Sequence, residues 1–270
     1  MRTYAIAVFL FLYIPIGIIV LFSFNAGRHA SELRGLSVQW YSKALSNPFV
    51  SDAFVTSLII ALSVAVLSTL LGTTAALALQ RLKGPLRTFF DGMIYVSVMV
   101  PGIVIGIATL VALVTVFDFL NPLLASLWPE GMKPPKLHMG YASVIAAHTL
   151  FTMSMVIILV RARISGMDRT LIEASMDLYA TPWRTFYQVT LPQIFPAILA
   201  GFLLSFTFSF DDFIISFFVA GPNTTLPIYI FSSIRRGITP EVNAIGTMVL
   251  VTSLIILMAA QYALHRRDIR

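Results

Sequence analysis

The sequence predicts an all-α, polytopic membrane protein with six transmembrane helices. Three observations carry this. Of 270 residues, 58% are hydrophobic and only 11% charged, whereas a soluble domain carries about a quarter charged residues. Apolar runs of about twenty residues, enough to cross a ~30 Å hydrocarbon core, recur along the chain. The cations gather at the ends of those runs, as topology signals do, and not on one face. A formal charge of +6 would suit nucleic acid, but this scatter removes that reading. Cysteine is absent, which excludes disulfides, thiol nucleophiles and thiolate metal sites.

Residues 4–24 form the first apolar run. Arg2 ahead of it raises a signal peptide, but the run is longer than a usual signal core and holds Pro15 and Gly17. An uncleaved span is expected. Residues 25–52 make a polar outer segment with Trp40 and Tyr41 as interfacial aromatics, so that 1–52 is the first region. A core region, 53–264, holds five further spans, and 265–270 is a short tail. The second span is 53–79. The inner turn 80–90 carries Arg81, Lys83 and Arg87 around Gly84-Pro85.

The third span, 92–117, should bend near Pro101, and Gly102 with Gly106 lets another helix backbone come close. An outer loop, 118–138, contains Trp128. The fourth span, 139–160, contains His148, which reads either as a satisfied packing group or as a substrate or proton group. The inner loop 161–195 carries Arg161, Arg163, Arg169 and Arg184. The fifth span is 196–220. Within the outer segment 221–241, residues 226–237 read as an amphipathic helix, either a gate or an ordinary interfacial helix. Residues 242–264 close the set.

This threading puts Arg2, Arg81, Lys83, Arg87, Arg161, Arg163, Arg169, Arg184, Arg266, Arg267 and Arg270 on one side. Arg28, Arg34, Lys43, Lys133, Lys136, Arg235 and Arg236 fall on the other, spread over longer loops. The bias places both termini in the cytoplasm.

Two polar stretches stand out. In the inner loop, Thr170 and Glu173 have capping-box spacing, and Thr181-Pro182 reads as a second cap with proline first in its helix. Two short helices meeting at a corner would present a rigid knuckle to a cytoplasmic partner. In the fifth span lie Asp211 and Asp212, and bare carboxylates there cost about 3 kcal/mol each on insertion scales. At about 100° per residue, Ser205, Ser209, Asp212 and Ser216 share one stripe, with Phe206, Phe210, Phe213 and Phe217 beside it. Asp212 is therefore expected on a water-filled pathway lined by hydroxyls, where a cation gains Coulomb attraction. Asp211, on the side of Thr207, is a secondary pathway candidate or faces another helix or subunit. The alternative for both is a structural pairing. No phosphate-binding G-x-x-x-x-G-K-[ST], G-x-S-x-G or H-E-x-x-H pattern occurs, so no ATP site, hydrolase chemistry, metal or cofactor is expected on this chain.

The run from Glu173 to Pro192 resembles the EAA loop of binding-protein-dependent ABC importer permeases. Glu173, Ala174, Leu191 and Pro192 match it, while Ser175 stands for its second alanine, Tyr179 for its glycine and Val189 for its isoleucine. The resemblance implies a type I ABC importer permease fold. It also implies that Glu173, Ala174, Ser175, Asp177, Tyr179 and Ala180 couple the chain to an ATPase subunit. Ser205-Phe206-Thr207, Asp211-Asp212, Ser216-Phe217, Gly221-Pro222, Leu226-Pro227 and the run from Thr239 to Ala244 are similar to the polyamine branch. That implies uptake of putrescine or spermidine delivered by a binding protein across a bacterial cytoplasmic membrane. ATP and Mg would sit on two ATPase subunits, and a second permease chain would complete a heterodimer surrounded by lipid. The alternatives are another small nitrogenous solute, such as 4-aminobutyrate or an opine, or a self-sufficient secondary transporter or channel.

Overall fold

The computed structural model describes residues 2–27, 32–129, 131–237 and 239–268, without the side chains of 2, 256–257 and 259–268. Arg28, His29 and Arg270, and the side chains of Arg2, His265, Arg266 and Arg267, lie outside the described residues. In order the helices are α1 (Arg2–Ser23), α2 (Gln39–Ser46), α3 (Pro48–Leu79), α4 (Pro85–Met99), α5 (Gly102–Leu127) and α6 (Tyr141–Ser165). Then come α7 (Thr170–Asp177), α8 (Pro182–Thr185), α9 (Leu191–Asp211), α10 (Ile214–Val219), α11 (Leu226–Arg236) and α12 (Pro240–Asp268). A π-helical turn, Phe186–Thr190, joins α8 to α9. Pro192 and Pro196 bring no N–H to the ladder here, and a missing donor favours such a widened turn.

Among the described residues five helical segments are long and apolar enough to cross a membrane: Thr3–Ser23, Pro48–Leu79, Gly102–Leu127, Tyr141–Ser165 and Pro182–Asp211. The corresponding part of α12 is the shorter Pro240–Ile255. The count therefore stops short of the six expected. Two spans also differ from the sequence reading. The third does not run through 92–117, because Val100 is extended (φ −69°, ψ 130°) and Pro101 has no N–H, which ends α4 and starts a new helix at Gly102. Much of the expected outer loop 118–138 is the last turns of α5, with Pro122 inside the helix. The fifth span breaks at Asp212, which is extended (φ −70°, ψ 121°) between α9 and α10.

The chain divides into two compact units, Met1–Thr56 with Thr224–Arg270, and Ser57–Asn223. In the first, α12 packs on α1, α2 and α11. Trp40 is buried. Its Nε1 donates to the Asn25 carbonyl at 2.7 Å, and the Tyr41 hydroxyl lies 2.6 Å from Ser23 Oγ. A buried indole N–H needs such a partner. Asn47 Nδ2 donates to the Tyr229 hydroxyl and to Glu241 Oε1, and Lys43 lies 3.3 Å from Glu241 Oε2, so α2, α11 and α12 share one polar knot. Thr239-Pro240 opens α12, with proline first, as the sequence suggests.

In the second unit α6 is the central element, packed on α4, α5, α9 and α10. Ala76, Leu79, Ile94, Val156, Ile157 and Val160 form its apolar core, where full burial of each valine or isoleucine side chain is worth roughly 1.5–3 kcal/mol. Val156 fits between two glycines. A Cβ at Gly72 would lie 2.8 Å from its Cβ, and one at Gly201 3.2 Å from its Cγ1.

The Gly102–Gly106 face of α5 packs on α10, where a Cβ at Gly106 would meet Phe218 Cδ2 at 2.8 Å and Ile215 Cα at 3.4 Å. Gly106→Leu is expected to cost about 1–3 kcal/mol through overpacking. A fall of several degrees in the melting temperature of the detergent-purified protein is the expected readout, and an unchanged melting point would contradict this packing.

Candidate functional site

The corner between α7 and α8 is built from local signals. Asp168, not Thr170, caps α7. Its Oδ1 accepts from the Thr170 amide at 2.9 Å and the Thr170 hydroxyl at 2.7 Å, and these bonds hold the Asp168 carboxyl below its usual range. The expected capping box of Thr170 with Glu173 does not form, because the shorter Asp168 side chain reaches the free amide first. α7 ends in a Schellman motif, with Tyr179 N bonded to Met176 O and Ala180 N to Ser175 O. Its left-handed position is Tyr179 (φ 59°), the residue standing where the resembled loop has glycine. Thr181 Oγ1 accepts from Arg184 N and Pro182 opens α8, as expected. Ser175 Oγ lies 3.0 Å from Thr185 Oγ1 and ties the two short helices together.

Because a left-handed conformation costs a residue with a Cβ about 1 kcal/mol or more, Tyr179→Gly is expected to stabilise this corner by about that amount. Slower amide exchange in 170–180 is the check, and faster exchange would contradict it.

Glu173, Ala174 and Asp177 are exposed, and Ser175 and Ala180 are partly so. Around them stand large apolar side chains in the open: Leu178 and Tyr179 at 82% and 97% exposure, with Met176, Trp183 and Tyr187. A cavity of about 750 Å³ lies beneath, lined by Leu77, Gln80, Arg81, Glu173, Met176 and Trp183 among others. Exposed apolar patches rimmed by polar groups mark protein or membrane contacts. Sequence reasoning missed Leu178 and Trp183, although their neighbourhood to the Glu173 run was visible.

The end of α6 is fixed by charge. Arg161 Nη1 donates to Asp91 Oδ1 of α4, and Arg87 Nε stands 3.7 Å from Asp91 Oδ2. Hydrogen bonding from Arg161 holds the Asp91 carboxyl below its usual range, against the opposing effect of desolvation. A depressed carboxyl pKa adds stability that is present above about pH 4 and lost as pH falls through the folded value. Since the pair is partly solvated, Asp91→Asn is expected to cost under about 1 kcal/mol at neutral pH. The gap between variant and wild-type melting temperatures should close in acid, and a gap that widens there would contradict the pairing. Arg163 Nε donates to the Gln193 carbonyl at 2.8 Å, which ties α6 to the start of α9.

The acidic stretch is organised by the helix break. Ser205, Ser209 and Ser216 are buried inside the unit. The stripe expected of one continuous helix does not exist, because Asp212 is not helical. Asp212 instead turns its carboxylate toward α6. Its Oδ2 accepts from Ser216 N at 3.0 Å and lies 3.2 Å from His148 Nε2. The His148 Nδ1 is 2.8 Å from Ser209 Oγ, and Ser216 Oγ is 3.2 Å from its Nε2. His148 is 2% exposed, while the Asp212 side chain keeps 22% exposure. Asp211, by contrast, is exposed. Of the two readings of His148, the geometry gives it polar partners on both ring nitrogens.

With this geometry in hand, likeness to known proteins is informative. Residues 68–270 match the family described as "Binding-protein-dependent transport system inner membrane component". The chain is 36% identical over 263 residues to the "Putrescine transport system permease protein PotI" of Escherichia coli K12, covering 96% of this chain and 89% of that one. It is 33% identical over 268 residues to the "Spermidine/putrescine transport system permease protein PotC" of Haemophilus influenzae, covering 99% and 97%. Among solved structures, a bacterial ABC transporter that imports alginate matches with a TM-score of 0.77 at 16% identity, over 98% of this chain and 94% of that one. A family match over most of the chain replaces the self-sufficient transporter or channel reading. The chain belongs to the binding-protein-dependent transport system inner membrane components: it is the multi-pass, non-catalytic permease subunit of an ABC importer, and ATP binding lies on a separate ATPase component.

Proposed function

We propose that this permease carries small aliphatic polyamines, putrescine or spermidine, as cations. The observation that carries the reading is a pair of carboxylates, Asp211 exposed and Asp212 part-exposed, at a helix break within an apolar segment. An ionisable group in such a segment is expensive and is functional by default. The relatives at 33–36% identity, named for putrescine and spermidine transport, support the same class. Asp212 meets the solute's ammonium group; Asp211 faces the pathway or a neighbouring subunit. Ser205, Ser209 and Ser216 shape the site from behind Asp212.

In this reading α12 is the sixth crossing, joining α1, α3, α5, α6 and α9, and both termini are cytoplasmic. The inner loop 161–195 carries the coupling surface. Glu173, Ala174, Ser175, Asp177, Tyr179 and Ala180 seat on an ATPase subunit, supported by the exposed apolar side chains beside them. A second, different permease chain completes the pathway, with a binding protein delivering solute from outside. Apolar side chains along α1, such as Phe9, Phe11 and Tyr13, are exposed and suit contact with lipid.

The test is uptake of labelled putrescine and spermidine by cells carrying the complete importer. Saturable, energy-dependent uptake of either is expected. An intact complex that moves neither, but moves 4-aminobutyrate, would replace the polyamine reading with the alternative nitrogenous solute.

A further inference from the structure

We infer that His148 is the positioning residue for Asp212, and that its protonation state sets how well the permease accepts a cationic solute. This rests on the reading of Asp212 as the carboxylate that meets the solute.

The argument begins with the two oxygens of Asp212. Oδ2 is turned inward, held by the Ser216 amide and the His148 ring. Oδ1 has no such bond among the described residues, and the side chain keeps part of its surface exposed. The carboxylate is thus anchored through one oxygen and available through the other. An ionised carboxylate only accepts hydrogen bonds, so His148 Nε2 must carry the proton. Neutral His148 then accepts at Nδ1 from the Ser209 hydroxyl.

The same cage tolerates a second proton. When Nδ1 also carries hydrogen, the Ser209 hydroxyl turns and accepts from it, since a hydroxyl serves either role. The ring nitrogen keeps its partner, and only the Ser209 hydroxyl hydrogen must find another acceptor. What changes is charge. Imidazolium beside Asp212 neutralises the carboxylate and opposes an arriving ammonium group, whereas neutral imidazole leaves the carboxylate's charge available to the solute.

The surroundings contain little else that titrates. α9 offers Ser209 to the ring, with buried Ser205 one turn before it and exposed Asp211 at its end, and α10 offers Ser216. On α6 itself, Thr152 Oγ1 bonds the His148 carbonyl and lies 2.6 Å from Ser68 Oγ of α3. Residues 57–79 of α3 carry no charged side chain, and α5 carries only Asp118. On α4, Asp91 and Arg87 are engaged with each other and with Arg161, thirteen residues beyond His148.

The experiment uses the complete importer, with ATPase and binding protein, reconstituted in liposomes. Initial rates of putrescine import are measured from about pH 5.5 to 7.5, with the binding protein's own affinity for putrescine determined at each pH and divided out. Wild type is expected to show KM rising roughly threefold to tenfold toward acid, with kcat much less affected. His148→Gln keeps an N–H donor for Asp212 but cannot ionise, so its KM should no longer respond to acid. His148→Ala leaves the carboxylate held only by the Ser216 amide, and its KM should rise roughly tenfold at every pH. If the alanine variant fails to assemble, the glutamine variant still decides the matter. A wild-type KM indifferent to pH, or an assembled His148→Gln that keeps the wild-type acid response, overturns the inference. Asp212→Asn run alongside separates the two levels. If it imports normally, the reading of Asp212 itself fails; if it is impaired while His148→Gln keeps the wild-type acid response, only the role of His148 falls.

Discussion

Asp212→Asn is expected to lower polyamine import by roughly ten- to a hundredfold while leaving the protein folded. The size follows from removing one charge-assisted hydrogen bond to an ammonium group, worth about 1.5–3 kcal/mol. Folding should survive because asparagine is nearly the same shape and its carbonyl can still accept from Ser216 N, the bond that steadies the start of α10. The loss should appear in uptake of labelled putrescine, normalised to the amount of complex in the membrane. Asp211→Asn, at an exposed site without the His148 and Ser216 anchors, should have the smaller effect. Uptake untouched by Asp212→Asn would make the carboxylate a structural support of the helix break and leave the polyamine class resting on likeness alone.

Glu173→Lys is expected to release the ATPase subunit. Glu173 is exposed on α7 and forms no ion pair among the described residues, so reversing its charge disturbs little within the chain. Its effect should fall on whatever docks there. Leu178→Asp attacks the same surface by a different route, through an apolar side chain left 82% exposed. Central interface residues of this kind cost about 2–4 kcal/mol when disrupted, a weakening of roughly thirty- to a thousandfold. The ATPase subunit should then be lost when the complex is purified through the permease, and solute-stimulated ATP hydrolysis should fall with it. If both variants retain the subunit and its stimulation, the corner formed by α7 and α8 is not the docking surface.

Signals confined to a few neighbouring residues could be read directly. Thr181-Pro182 opens α8 and Thr239-Pro240 opens α12, because a proline at the first helical position has no amide to leave unsatisfied. Gly84 with Pro85 likewise starts α4. Where two local devices competed, the reading went astray. Thr170 had the right spacing for a capping box, yet Asp168 two residues earlier took the amide. Tyr179 looked like a plain departure from a glycine pattern, while its positive φ shows that the backbone there keeps the conformation glycine favours.

The break at Asp212 lay further from reach. Nothing between Ser205 and Ser216 is a proline or glycine, so periodicity alone extended the helix and spread the serines along one stripe. At the break the Asp212 carboxylate turns to a partner 64 positions away in the chain, His148. A part-exposed carboxylate in an apolar segment is stabilised by an imidazole and an amide donor, which offsets the ladder bonds missing at the break.

By itself, then, the sequence determined the solvent of this protein, its helical class, most of its membrane-crossing stretches and the corner between α7 and α8. Each follows from side-chain transfer energies and caps that act within one or two turns. Only the tertiary structure decided which polar groups in the apolar segments meet. His148, Ser209, Asp212 and Ser216 come together because α6 packs against α9 and α10, and polar atoms shut away from water must find one another. That requirement acts through space, and no spacing along the chain records it.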